Sequence, residues 1–421
     1  MRYLYTFLLT LAMPFIFMKL LWRSRRLPAY RQRMFERLGF YPVKLDKCLW
    51  VHAVSVGEVI AALPLIKSLQ ASHPDLPMLV TTMTPTGYVR VKAALGDTVQ
   101  HVYLPYDLPC AVKRFLSSMN PIVCVIIETE LWPNMLATCR QHQIPVCLTN
   151  ARLSEKSAQG YARIALLTRE MLRNVTRISA CGQADADRFI ALGAQPEQLT
   201  VTGNLKFDLV LPDGLLAKAK ALRESLGNER FIWIAASTHE GEEEIILNAH
   251  RKLLAINPQA LLILVPRHPD RFNLIAEMTA KQFTAQRRSL GEAINADTTV
   301  YIGDTMGEML LMYAVSDVAF VAGSLIPRGG HNILEPAVLA KPILTGVHVF
   351  NFGEICQMFM QSEAMLQVTD GGDLAAQIIH LQQHPELCQS YGQRALAVMD
   401  ANRGALAKQI QIIEKVIATA K

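Results

Sequence analysis

The sequence predicts an α/β protein made of two parallel-sheet domains. The chain has 421 residues, too many for one ordinary core, so two domains of roughly 200 residues each are expected. Helical and strand-like stretches alternate at short intervals along most of it. The strand-like runs are almost continuously apolar, as in a parallel sheet covered on both faces. Hydrophobic residues make up 51% and charged residues 19%. That is rich for a soluble enzyme but lacks the repeated long apolar runs of a polytopic membrane protein.

Residues 1–40 stand apart from this alternation. Residues 3–18 are uncharged and mostly apolar, Lys19 interrupts the run, and Leu20, Leu21 and Trp22 resume it. A basic series follows: Arg23, Arg25, Arg26, Arg31, Arg33 and Arg37. With Lys19 snorkelling, the run could just span a bilayer; it could equally lie in the interface, or pack as a helix on the body. The arginines would keep the body on the cytoplasmic side and attract anionic lipid. No small-residue cleavage site follows, so a secretory signal is not expected.

The first domain is expected over 41–205. Its strands fall at 48–56, 77–84, 99–105, 121–130, 144–152 and 176–181. The intervening helices fall at 58–70, 87–94, 107–119, 133–142 and 160–174. In such sheets ligands sit beyond the carboxyl ends of the strands. Polar residues collect there: Ser55, Gly57 and Glu58 after the first strand, Thr82 and Thr84 after the second. Glu128 and Glu130 end the fourth strand, and Arg152 the fifth. These are the acceptor-side candidates.

The stretch 200–213 reads as a connection into a second domain, expected over 206–400. A helix at 214–226 precedes strands at 231–237, 260–268, 298–304, 317–323 and 342–345. Helices fall at 240–255, 270–282, 306–315 and within the glycine-rich 328–346, with a less regular stretch at 283–297. Helices at 371–381 and 386–418, the latter broken, finish the chain, with 401–421 as a terminal helix.

Four corners pair a cap residue with an acid three positions on: Ser55/Glu58, Ser237/Glu240, Thr305/Glu308 and Asn332/Glu335. The first three match the capping box; each alone could be no more than a helix start. Each of those three also follows an apolar strand, so its free N–H groups are expected to face a cleft between the domains and attract phosphate or carboxylate. Lys206, Arg267, His268, Arg271 and Arg328 add positive charge. An anionic ligand is therefore expected in the second domain. Neither GxGxxG nor GxxxxGK[ST] occurs, which argues against a typical dehydrogenase or P-loop ATPase.

An anionic leaving group in one domain and a carboxylate in the other suggest group transfer, with the carboxylate as general base. Glu58 is the best candidate, with Glu128 and Glu130 as competitors. The formal charge of +6 is modest over this length, and no nucleic-acid partner is expected. The eight cysteines are scattered, with no CxxC and no zinc-like spacing, so buried reduced thiols are expected.

Ten segments, in order, carry a family resemblance: VHAVSVGE, VTTMTPTG, HVYLPYDLP, ETELWPN, NARLS, VTGNLKFD, ASTHEGEE, LLILVPRHPDRF, GDTMGEM and GGHNILEPA. With them the sequence resembles the bacterial 3-deoxy-D-manno-octulosonic acid (Kdo) transferases of lipopolysaccharide assembly. The resemblance implies a GT-B glycosyltransferase with two Rossmann-like domains. It implies inverting transfer of Kdo from CMP-Kdo to a tetraacyldisaccharide 1,4′-bisphosphate lipid A precursor at the cytoplasmic face of the inner membrane. Glu58 then matches the family's base. Ser237, Thr238, His239, Glu240, Arg267, His268, Gly303, Asp304, Thr305, Met306, Gly307 and Glu308 match its CMP-Kdo site. So do Gly330, Asn332 and Glu335, with Glu335 as the ribose-binding acid, and Lys206 as a donor contact. Anionic inner-membrane lipids are the expected surroundings, and no bound metal or cofactor is expected. The alternatives are another GT-B sugar-nucleotide transferase or epimerase, or a non-catalytic scaffold of the envelope pathway.

Overall fold

The computed structural model describes residues 1–291 and 294–419. Glu292 and Ala293, in the stretch expected to be irregular, lie outside the described residues. So do Ala420 and Lys421 at the end of the expected terminal helix, and the Arg26 side chain. The chain divides into two compact units, one of Met1–Asp208 together with Arg403–Lys421, the other of Leu209–Asn402.

The first unit holds seven strands: β1 Cys48–His52, β2 Met78–Thr82, β3 Gln100–Tyr103, β4 Pro121–Ile127, β5 Val146–Ala151, β6 Arg177–Ala180 and β7 Leu199–Val201. They pair in the order β3-β2-β1-β4-β5-β6-β7, every pair parallel. All five residues of β1 are buried, as a strand flanked on both sides and covered on both faces must be. On one face Trp50 meets Phe115 edge-on at 4.7 Å and donates its indole N–H to Thr81 Oγ1 at 2.8 Å. On the other, Leu49 and Val51 pack with Val59, Ala62 and Ile66 of the helix Val56–Ser72.

The helix Ala405–Thr419 belongs to that second layer rather than standing as a separate terminal element. Ile413, Val416 and Ile417 join the same cluster, Gln409 donates to Thr202 Oγ1 at 3.0 Å, and His73 meets Glu414 at 2.7 Å. The first unit also runs on to Asp208, whose carboxylate accepts from the N–H groups of Gly404 and Leu406 at 2.6 Å. Lys206, expected with the second domain, therefore lies in the first. The single helix expected at 160–174 is two, Glu155–Ala162 and Ala165–Arg173.

The N-terminal helix Arg2–Arg26 lies against this unit along one face. Met13 and Leu20 are buried, Phe17 meets Tyr106 edge-on at 5.7 Å, and Thr6 and Asn134 share hydrogen bonds of 2.9 and 3.1 Å. The opposite face is apolar and open: Tyr3, Phe7, Leu11, Phe15, Met18 and Trp22 are each more than half exposed. The basic series divides. Arg23, Arg25 and Arg31 are exposed. Arg33 instead pairs with Glu36 at 2.6 Å, and Arg37, 2% exposed, donates to Met83 O at 3.0 Å. The last two are fixed parts of the fold.

The second unit repeats the plan with β8 Ile232–Thr238, β9 Leu261–Pro266, β10 Ala285–Arg287, β11 Val300–Ile302, β12 Val318–Val321, β13 Ile343–Thr345 and β14 Leu366–Gln367. Their order is β10-β11-β9-β8-β12-β13-β14, again all parallel. Trp233, Leu262 and Phe320 centre one core face. The helices Gly371–Gln383 and Pro385–Ala401 close the unit. All eight cysteines are unpaired.

Candidate functional site

In each sheet the chain reverses its direction of growth once, between β1 and β4 in the first unit and between β8 and β12 in the second. At such a point the loops leaving neighbouring strands run to opposite sides, and open α/β sheets take ligands in the crevice beyond the strands' carboxyl ends.

In the first unit the crevice is acidic. Ser55 ends the extended chain after β1 and caps the helix Val56–Ser72. Its Oγ accepts from Glu58 N at 3.4 Å and donates to Glu58 Oε1 at 2.8 Å. Val54 N donates to Glu58 Oε2 at 2.7 Å. Glu58 is thus folded back over its own corner, 9% exposed. Burial pushes its pKa up and the bonds from Val54 and Ser55 pull it down; with the charge of Glu128 added, it stands above the ordinary value. Gly57, exposed on the first turn, has only Ser55 Oγ within 4 Å of where a Cβ would sit. Nothing inside the fold demands a glycine there.

Glu128 and Glu130 leave β4 beside Glu58. Glu128 holds a left-handed backbone (φ 59°), uncommon for a residue with a side chain, and its carboxylate lies 3.5 Å from Lys206 Nζ. Glu130 accepts from the Trp132 indole at 2.9 Å. Burial, then the charge of Glu58, push its pKa to about 7. Asn150, also left-handed, accepts from Leu205 N at 2.9 Å and so anchors the turn that carries Lys206. Arg152, half-buried, follows β5, and its carbonyl accepts from Thr129 Oγ1. Thr82 and Thr84 have structural duties: Thr82 Oγ1 bonds His101 Nε2 at 3.0 Å, and Thr84 caps the helix Pro85–Leu95.

In the second unit the crevice is basic. A bulge at Ser237 (φ 62°) ends the regular register of β8. Ser237 caps no helix, and Glu240 is exposed, because the next helix starts only at Glu243. The capping box expected there does not form. The neighbouring acids do the structural work. Glu242 is fully buried and accepts four backbone N–H bonds, and Glu243 takes Thr238 Oγ1 at 3.1 Å and Arg271 at 2.7 Å. Arg271 is therefore committed to an internal pair. His239 stacks on His331, rings 8° from parallel, with the two Nε2 atoms 2.9 Å apart, and meets His268 at 5.3 Å between centroids. Burial, then His268, Arg328 and Arg267, lower the His239 pKa; burial and His239 lower that of His331 to about 4. Arg267, His268 and Arg328 are exposed. Gly330 N donates to Gly323 O at 2.8 Å, and Asn332 donates to Glu335 Oε1 at 3.3 Å. Burial raises the Glu335 pKa against the pull of Asn332 and Arg267.

The Gly303–Glu308 segment leaves β11, the neighbour of β9. Asp304 pairs with Arg287 at 2.6 Å and accepts from Ser289; Glu308 takes Thr305 Oγ1 and pairs with Arg288 at 2.8 Å. A Cβ at Gly303 would meet Val265 at 2.8 Å. These residues bind the β10–β11 edge together, and the expected capping box at Thr305 is replaced by that ion pair. Met306 and Gly307 remain at an exposed tip. Among the described residues no group of three or more His, Cys, Asp and Glu side chains is placed to hold a metal.

Two parallel seven-stranded sheets, each with its strand order reversed beside its first strand, define a GT-B-like protein. A UDP-GlcNAc 2-epimerase from Neisseria meningitidis, solved with UDP-GlcNAc, superposes with a TM-score of 0.59 over 89% of this chain and all of its own. At 13% identity that likeness concerns the fold alone. The sequence settles the family. Residues 32–209 match the family described as 3-Deoxy-D-manno-octulosonic-acid transferase (kdotransferase). The 3-deoxy-D-manno-octulosonic acid transferase of Haemophilus influenzae is 44% identical over 98% of both chains. That of Bordetella pertussis is 34% identical over 98% of this chain and 99% of its own. The chain belongs to the Kdo transferase family.

Proposed function

We propose that this protein transfers Kdo from CMP-Kdo to a tetraacyldisaccharide 1,4′-bisphosphate lipid A precursor, with inversion at the anomeric carbon, and that Glu58 is the base. The observation that carries the assignment is the acidic crevice of the first unit. Glu58 is buried, ordered by two hydrogen bonds and held above its usual pKa. A carboxylate so placed is a stronger base than one in water, and each of its oxygens keeps a second lone pair beyond the one its corner occupies, where a proton can be taken.

In the proposed reaction the acceptor hydroxyl gives its proton to Glu58 as its oxygen attacks the anomeric carbon. The bond from that carbon to the CMP phosphate breaks on the opposite face, and its electron pair leaves on the phosphate oxygen. The basic crevice of the second unit suits that developing charge: Arg267, His268 and Arg328 are exposed and free to meet a phosphate and a sugar carboxylate. Glu335, beside Asn332, is proposed as the ribose acceptor. With that charge supplied by the protein, the proposal includes no metal, and activity should persist in EDTA.

The N-terminal helix supports placement at the cytoplasmic face of an anionic inner membrane. Its inner face is docked from Thr6 to Leu20, and its outer face is apolar. A helix covered by protein along one side fits in-plane insertion better than a span. Arg23 and Arg25 are exposed to meet lipid phosphates, as is Arg31 beyond the bond its Nε donates to Ser24 Oγ at 2.8 Å.

The test is purified protein with CMP-Kdo and the lipid acceptor, wild type beside Glu58→Ala. CMP release and a Kdo-bearing lipid should form with wild type and fall steeply in the variant. Transfer that survives unchanged in Glu58→Ala, or that runs from UDP-sugars instead, refutes the proposal.

A further inference from the structure

The acidic run that follows β8 contains a carboxylate with no solvent access and an unusual set of partners. Glu242 Oε2 accepts from His239 N at 3.1 Å and Gly323 N at 2.7 Å; Oε1 accepts from Ser324 N and Leu325 N, both at 3.1 Å. One carboxylate thus bridges the two loops that diverge at the sheet's point of reversal, β8's on one side and β12's on the other. Burial raises the Glu242 pKa, and the four N–H donors around its two oxygens pull against that rise, since hydrogen bonds to a carboxylate favour its ionised form.

The two loops are joined a second time through the histidines. His239 touches His331 through their Nε2 atoms. His331 follows Gly330, whose N–H donates to Gly323 O at 2.8 Å. Gly323 lies in the left-handed region (φ 71°), and a Cβ there would stand 2.9 Å from the His331 ring. The contacts close a ring: Glu242 to His239, His239 to His331, His331 through Gly330 to Gly323, and Gly323 back to Glu242. Its only fully buried carboxyl group is Glu242, and its outer side is the half-buried histidine pair, with the exposed Arg267, His268 and Arg328 nearby.

We infer that Glu242 is a positioning residue for the donor nucleotide: it touches no ligand, but sets the His239–His331 pair by holding both loops at once. The inference rests on the proposal that the basic crevice binds the CMP moiety. Nothing in the local sequence singles out Glu242 among Glu240, Glu242, Glu243 and Glu244; only the two-loop bridge does.

The test is titration of CMP into the full-length protein, using Glu242→Gln, His331→Ala and the double variant. Glutamine keeps the shape but offers one acceptor oxygen and turns an NH2 group toward backbone donors. Each single variant should weaken CMP binding on the order of tenfold, and the double variant by about the same factor as either alone. Such non-additivity marks two residues acting through one element. In steady-state assays Glu242→Gln should raise KM for CMP-Kdo and leave kcat within about threefold, a split that general loss of stability does not produce. If Glu242→Gln does not fold, Gly323→Ala disturbs the ring from the other loop and should show the same non-additivity with His331→Ala. Wild-type CMP affinity in folded Glu242→Gln, or factors that multiply in the double variant, overturns the positioning role. Wild-type affinity in His331→Ala overturns the donor-site assignment itself, and the inference with it.

Discussion

Replacing Glu58 by glutamine tests the base with least disturbance. The amide can still accept from Val54 N, now 2.7 Å from Glu58 Oε2, and can still face the Ser55 hydroxyl. It cannot take a proton. Loss of a positioned general base costs about 10²- to 10⁴-fold in rate, and each factor of ten corresponds to about 1.4 kcal/mol in the barrier. The corner should hold, because only the charged part of two hydrogen bonds is lost and the burial cost of the charge disappears with it. Thermal stability should therefore change little while kcat/KM with the lipid acceptor falls by at least about a hundredfold. The wild-type pH profile supplies a second reading. A base must be ionised, so kcat/KM should rise with pH through an inflection above the ordinary glutamate value of about 4.3, since burial raises Glu58. A Glu58→Gln enzyme within threefold of wild type, or an unchanged acid limb in that variant, would refute Glu58 as the base.

Other consequences can be measured on the same protein. Glu128→Gln removes a charge that raises Glu58, so the acid limb of kcat/KM should move to lower pH. Glu130 has a folded pKa raised to about 7, above its unfolded value. Its contribution to stability is therefore complete below about pH 4.3 and is lost as pH rises through about 7. Chemical denaturation should show that loss in wild type and a flatter dependence in Glu130→Gln. Arg271→Ala strands the buried Glu243 carboxylate and should cost about 3 kcal/mol of stability by denaturant titration. Phe7→Ser with Phe15→Ser should lower binding to anionic vesicles by roughly ten- to a hundredfold, whereas Arg33→Ala, which breaks the pair with Glu36, should lower thermal stability and leave vesicle binding near wild type.

The sheets were legible because central parallel strands leave almost no polar trace. The runs around Leu49, Val125 and Ile263 are apolar on both faces, and both faces are covered. Three strands carried no such signal. Leu199–Val201, Ala285–Arg287 and Leu366–Gln367 are short and only partly buried, with polar residues in each, as edge positions allow. The capping pattern shows the limit of local reading more sharply. Ser55/Glu58 forms its cap, Ser237/Glu240 does not, and Thr305/Glu308 gives way to an ion pair with Arg288. Three similar local signals meet three outcomes because the deciding partners, a backbone bulge in one case and a distant arginine in another, lie outside the four-residue window. Asp304 and Glu308 match the donor-site motif, but the motif does not show that their carboxylates hold Arg287, Ser289 and Arg288. Glu242 was invisible for the converse reason: its four donors come from segments about 80 residues apart.

In the proposed reaction the base belongs to one unit and the nucleotide site to the other. Calorimetric titration of CMP into Glu58→Gln, run beside a transfer assay on the same preparation, tests that division most directly. CMP affinity should stay within about twofold of wild type while Kdo transfer falls by at least about a hundredfold. Loss of CMP binding in Glu58→Gln, or full transfer activity in it, would contradict the account.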